Sequence, residues 1–357
     1  MPRAPQDIYA RSLSSPRGYP LWTPEPSNEL LMERQDGLRI GDVGVVLDDG
    51  GFDVLFNICL PADHPFHHRH GVPEGFTCID PDQLDIRTIP NAERPGRIIS
   101  TSSVTRVETF ETSSDPSKRY IASSLKRHDC IKRFHRRDSS ALPYKFNLSS
   151  TEGALLILPE GSERYDLLNE DLFLEQASRH GIEWYNYAVN RRRRIINPDS
   201  LYLITGIYKT RSWSVAAFEN VMENEHHTAH FKQIERDSMT PTYTWETTCA
   251  LDWRVGPHID YDIPNQAVFI YGFKIAIRRG FLGTRWISVE ADVPSTRLNP
   301  VKSTSIVPSH FPVLDRLAGL LWRGNSIFQA TKDNEGTTDQ IEELEIQRIP
   351  NANPVGA

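Results

Sequence analysis

The stretch Gly41–Gly71, GDVGVVLDDGGFDVLFNICLPADHPFHHRHG, decides the fold class. It reads as a β-hairpin that runs into a histidine-rich loop. Val43, Val45 and Leu47 form an apolar run, Asp48-Asp49-Gly50-Gly51 supplies the turn, and Phe52, Val54 and Phe56 alternate on the return. His64, His67, His68 and His70 follow at once, four of the chain's 12 histidines, so composition alone does not explain the cluster.

Composition bounds the rest. At 357 residues the chain can bury a sizeable core, in one large domain or two ordinary ones. Hydrophobic residues at 38% and charged residues at 24% are globular proportions, and a net charge of -7 argues against a general nucleic-acid binder. Proline (25) outnumbers glycine (21), which with many short apolar runs favours strands and loops over long helices. No window approaches about 18 uninterrupted apolar residues, so no transmembrane helix is expected. The segment MPRAPQDIYARSLSSPRG lacks the apolar region of a secretory signal. Cys59, Cys78, Cys130 and Cys249 are scattered without C-x-x-C spacing, which suits reduced thiols in the cytoplasm.

Residues 1–18 read as unstructured, 19–295 as one main β-rich domain, 296–330 as a linker with a docked helix, and 331–357 as a flexible tail. Ser27 is placed to N-cap a short helix over 28–35, ended by Gly37. Residues 80–95 read as a proline-bounded connection. Strand-like runs lie at 97–102, 104–110, 120–125, 144–148, 154–158, 201–208, 213–218, 242–253, 267–277 and 286–289. One long helix is expected at about 162–189, with the acids of 160–166 in its first turn and Leu167, Leu168, Phe173, Ala177, Trp184 and Ala188 at helical spacing. A second, near 312–321, docks on the body. The resulting class is α+β, predominantly antiparallel β.

The spacing His64-x-x-His67-His68-x-His70 offers imidazole nitrogens to zinc or copper, with Asp63 as ligand or supporting group. Neighbouring loop histidines rarely complete a tetrahedral set, and no H-E-x-x-H accompanies them. A second group, His226, His227 and His230, is one source of a further ligand; solvated loop histidines are the simpler reading. His258-x-Asp260-x-Asp262 reads first as a polar connecting loop and second as a cation site on one face of a strand. His128-Asp129-Cys130 lacks a shared face, Ser123-x-x-Lys126 lacks companion motifs, and no phosphate-loop or nucleophile-elbow signature is present. Arg191, Arg192, Arg193 and Arg194 either cap the preceding helix or meet phosphates and anionic lipid headgroups. With Lys126, Arg127, Lys132, Arg133, Arg136 and Arg137 they would form one basic face.

The segments YPLWTPEP (19–26), IGDVGVV…GGFDVLFNICLPADHP (40–65), GALLILPEGSERYDL (153–167) and SLYLITGIYKTRSWSVAAF (200–218) resemble a family of uncharacterised proteins of mushroom-forming (agaric) fungi. The resemblance spans roughly residues 19–325. It carries no family activity or catalytic residue, and the histidine run is not an evident part of its pattern. A second similarity, to gasdermin-type pore formers, rests on a long helix followed by Leu201-Tyr-Leu-Ile-Thr205 and another strand. It implies a β-rich body whose amphipathic strands extend through lipid, with basic residues on anionic headgroups.

The expectation is an intracellular, non-enzymatic binding or effector protein with a protein or lipid partner and no required cofactor. One alternative is a membrane-active, pore-forming protein using Arg191 to Arg194. The other is a metal-dependent hydrolase holding zinc at His64, His67, His68 and His70.

Overall fold

A computed structural model describes residues 3–14, 16–107, 144–149, 151–219, 227–234, 242–259, 262–279, 285–288 and 345–348. In chain order the elements are α1 Pro5–Leu13, β1 Tyr19–Pro20, α2 Asn28–Glu33, β2 Asp42–Val46, β3 Phe52–Asn57, β4 Ile86–Glu93, β5 Arg97–Ser100 and β6 Val104–Val107. Then come β7 Tyr144–Leu148, β8 Glu152–Leu158, β9 Ser162–Leu167, α3 Asp171–Asn186, β10 Leu201–Thr210 and β11 Trp213–Glu219. The last are β12 His227–Ile234, β13 Thr242–Thr247, β14 Asp252–Gly256, β15 Gln266–Arg279, β16 Arg285–Ser288 and β17 Glu345–Arg348. The class is α+β, dominated by antiparallel sheet.

Four long runs of chain fold like a concertina. The runs β4-β5-β6, β7-β8-β9, β10-β11-β12 and β13-β14-β15 each pass through three stacked layers. Their neighbours pair in the same order every time: β4-β9-β10-β15 in the first layer, β5-β8-β11-β14 in the second, β6-β7-β12-β13 in the third. The bend between the first two layers falls at one corner. There Thr210 Oγ1–H donates to the Gly161 carbonyl at 2.6 Å and Gly96 N–H to the Leu158 carbonyl at 2.9 Å. Gly161 has φ +77°, and a Cβ there would overlap the Glu93 carbonyl oxygen, so the corner needs glycine. The hairpin β2–β3 widens the first layer beside β10, while β1, β16 and β17 line the far side of β15.

Side-chain alternation follows from the layering. On β8, Ala154, Leu156 and Leu158 face the first layer, whereas Leu155 and Ile157 face the third. The two central strands of the middle layer are therefore buried on both faces, and Ala154–Leu158 and Val215–Phe218 read as continuous apolar runs. The third layer has one covered face and alternates: Tyr144, Phe146 and Leu148 are buried while Lys145 and Asn147 are not. On the outer side of the first layer, Phe173, Ala177 and Trp184 of α3 pack with Leu201, Leu203, Phe273 and Ile275. Each fully buried Leu, Ile or Phe among them contributes roughly 1.5–3 kcal/mol.

Several expectations change. Residues 162–167 form β9, and the helix begins only at Asp171, continuing through a π-turn over Tyr187–Arg191. Residues 80–95 hold β4, whose Pro90 sits at the irregularity between Ile89 and Glu93 on an edge strand, where a missing N–H costs no ladder bond. The N-terminal segment is ordered: α1 starts at Pro5, a good first helical residue, and buries Ile8, Tyr9 and Leu13. β17, inside the expected tail, pairs with Phe273–Ala276. The run 242–253 divides into two strands in different layers, and His227–Ile234 forms β12. In the hairpin a bulge between Val43 and Gly44 sets Leu55 and Phe56 with the α3 core, whereas Phe52 and Val54 join the inter-layer core. Leu47 lies beyond β2 and is exposed. Ser27 caps α2 as expected, accepting from Leu30 N–H at 3.2 Å. The docked helix near 312–321, the 120–125 strand and the basic residues Lys126 to Arg137 lie outside the described residues.

Candidate functional site

The chain leaves β3 through Leu60-Pro61 and makes a 3-10 turn over Pro65–His67. His67 is buried, and both its ring nitrogens are engaged. Nε2 accepts the Asn57 N–H at 3.2 Å, which requires the proton on Nδ1, and Nδ1–H donates to the Pro61 carbonyl at 2.9 Å. His64 Nδ1 accepts the Phe66 N–H at 3.1 Å, and exposed His68 donates Nε2–H to the Asp63 carbonyl at 2.8 Å. His70 is held below its usual pKa by partial burial and then by Arg192 and Arg69. Among the described residues no three His, Cys, Asp or Glu side chains converge as a metal-ligand group. His67 in particular has no free nitrogen to offer.

The arginine tract divides into a structural half and an exposed half. Buried Arg192 donates from NH1 to the Leu55 carbonyl at 2.7 Å and from NH2 to Val54 at 3.5 Å. Arg194 Nε–H donates to Asp53 Oδ2 at 2.6 Å. These acceptors belong to β3, the free edge of the first layer, so Arg192 covers carbonyls and His67 covers an N–H that a foreign strand would otherwise use. Replacing Arg192 with alanine should lower stability by about 2–3 kcal/mol, because charge-assisted bonds to buried carbonyls are lost, whereas Arg191→Ala should change it by less than about 0.5 kcal/mol. Urea midpoints of the two variants, with size-exclusion profiles for edge-to-edge association, check this.

The two candidate clusters meet. Tyr187 hydroxyl donates to the Gly71 carbonyl at 2.9 Å, and Arg191 Nε–H to the His70 carbonyl at 3.4 Å. Arg193, with φ 56°, ends the π-turn in the left-handed region and lies exposed beside Ile195, which is fully exposed. Arg69 is a loosely paired surface cation, 3.4 Å from Glu29. Arg191, on the His70 carbonyl, and Arg69, near His70, put two surface cations beside the histidine loop, with exposed Arg193 and Ile195 following Arg191 in the chain, on a protein whose net charge is -7.

The other expected sites stay apart. His258 Nδ1 lies 2.5 Å from Glu25 Oε2, and Asp260 is outside the described residues, as are His226, Cys130 and the basic residues of 126–140. His230 stands on β12 opposite Glu246, in the third layer rather than near the loop.

Burial, more than any charge, holds the His67 pKa below its usual value, outweighing its bond to Pro61. The unfolded chain therefore binds this proton more readily than the folded one. Stability should be complete above pH about 6.5 and decline as pH falls from there toward the lowered folded value. Urea midpoints between pH 7.5 and 5 should show that slope, reduced in His67→Gln.

No family profile, no curated protein and no solved structure matches the chain.

Proposed function

We propose that this is a soluble, cytoplasmic, non-enzymatic effector protein that acts on anionic membranes. The observation carrying the reading is the third layer of the concertina. Its four strands continue those of the layers beneath, and its inner face is aromatic: Tyr144, Phe146, Phe231, Tyr243 and Trp245. Its outer face carries Lys145, Asn147, His230, Lys232 and Glu246. Arg106, on the edge strand, is the exception and lies 4.4 Å over the Tyr144 ring. Swinging out about the connections between the second and third layers, such a sheet would present an apolar face to lipid and a polar face to water, as a membrane β-sheet requires. The Arg191–Arg193 surface with Ile195 would make the first contact, each cation worth about 1 kcal/mol at an anionic leaflet.

Among the described residues no helix is long and apolar enough to cross a membrane, so strands would carry any insertion. The test is dye release from phosphatidylserine-containing liposomes. Release is expected, with Trp245 fluorescence quenched by brominated lipid. Binding should fall about thirtyfold in R191Q/R193G, two cations being removed while the β3 clamp is left in place. Intact vesicles at saturating protein would refute membrane action. Retained, salt-sensitive capture of an acidic protein by the same arginines would then favour the second reading, a binding protein with an anionic protein partner, for which exposed Arg191 and Arg193 speak.

A further inference from the structure

Beneath the histidine loop, and separate from its surface, lies a buried charged cluster with one positive charge in excess. Arg34, the residue that ends α2, pairs through NH2 with Asp42 Oδ2. Asp42 is otherwise complete: Oδ2 also accepts Arg39 N–H at 2.7 Å, and Oδ1 accepts Asn57 Nδ2–H at 2.7 Å. Lys209 enters from β10. It is buried, donates Nζ–H to the Asp36 carbonyl at 2.6 Å, stands 5.5 Å over the Tyr165 ring, and has no ion pair among the described residues. Asp36 and Arg39 are a half-exposed pair that cancels, and Glu33 lies in solvent. The fully buried charges are thus Arg34 and Lys209 against Asp42 alone.

Two donor nitrogens of Arg34 have no partner among the described residues. Its Nε and NH1 are inaccessible to solvent and unbonded, while the guanidinium lies 4.7 Å over the Phe66 ring. A guanidinium carries five N–H donors, and leaving two of its nitrogens unmet beside a buried ammonium that makes no ion pair is costly. Asp36 Oδ1 is also unbonded, but its carboxylate is already neutralised by Arg39. Burial pushes the Lys209 pKa down to about 8, outweighing the opposing influence of Asp36 and Asp42.

We propose that the buried, unbonded Nε–NH1 edge of Arg34 binds a small monovalent inorganic anion of chloride size, which completes its hydrogen bonds and neutralises the Arg34–Asp42–Lys209 cluster. Such an anion binds only the folded chain and therefore stabilises it by mass action.

The experiment is urea unfolding of the full chain in sodium chloride against sodium gluconate at one fixed ionic strength. Above half-saturation the folding equilibrium constant should rise about tenfold per tenfold rise in chloride. K209M, which removes the excess charge and keeps the Arg34–Asp42 pair, should lose most of that dependence while remaining folded. Crystals grown in bromide should show an anomalous peak beside Arg34 Nε or NH1. Equal stability in the two salts, or an ordered water with no anomalous signal at that position, overturns the proposal. So does a chloride response unchanged in K209M.

Discussion

Asp42→Ala is expected to destabilise the protein by about 3–5 kcal/mol, the largest effect of any single charged residue. Asp42 has no exposed side-chain surface and, among the described residues, is the one carboxylate paired with Arg34. It also holds the Arg39 N–H and the Asn57 amide, and Asn57 in turn accepts Cys59 N–H at 2.7 Å. Alanine would leave a buried guanidinium unpaired and release the segments before β2 and after β3 together. Asp42→Asn keeps the shape but loses the charge, and should fall between wild type and alanine. Denaturant titration gives the values; a loss below about 1 kcal/mol for alanine would mean that Arg34 finds another partner.

Gly206→Ala should cost about 3 kcal/mol, combining overpacking with lost hydrogen bonds. β10 carries a bulge between Ile204 and Gly206, and the ring of Tyr271 on β15 crosses directly over Gly206. A Cβ at that position would land within the ring. Displacing Tyr271 breaks its hydroxyl bond to Asp166, the buried carboxylate that also takes Arg164 at 2.6 Å and Arg87 at 2.6 Å. The control is Tyr271→Ala. In that background the added methyl should cost under about 1 kcal/mol, so a double-mutant cycle on melting midpoints separates ring clash from backbone effects.

The parts of the fold legible in the sequence are those set by local chemistry. The Asp48–Gly51 turn and the Ser27 cap need only near neighbours. β9 was hidden because its acids imitate a helix N-terminus. Its signature was the i,i+2 pairing: Arg164 Nε–H to Asp166 at 2.6 Å and Tyr165 hydroxyl to Glu163 at 2.6 Å, partners on one face of a strand. β4 and β17 become strands only because edges elsewhere accept them. The candidate site was half visible. Both clusters stand out in the sequence, but their meeting joins His70 to Arg191 across 121 positions. Nor could spacing reveal that His67 and Arg192 serve the β3 edge, since that depends on which strand ends the sheet.

The doubly covered middle layer also sets an order of events. β8 and β11 are buried on both sides, so each keeps one face dry as long as either flanking layer remains in place. Their amides sit at the top of the local-unfolding ladder and exchange with solvent only when the whole molecule opens. The third layer, covered on one side only, has a lower rung of its own. Opening can therefore begin at β6, β7, β12 and β13 and halt at the middle sheet, leaving a folded remnant to close upon.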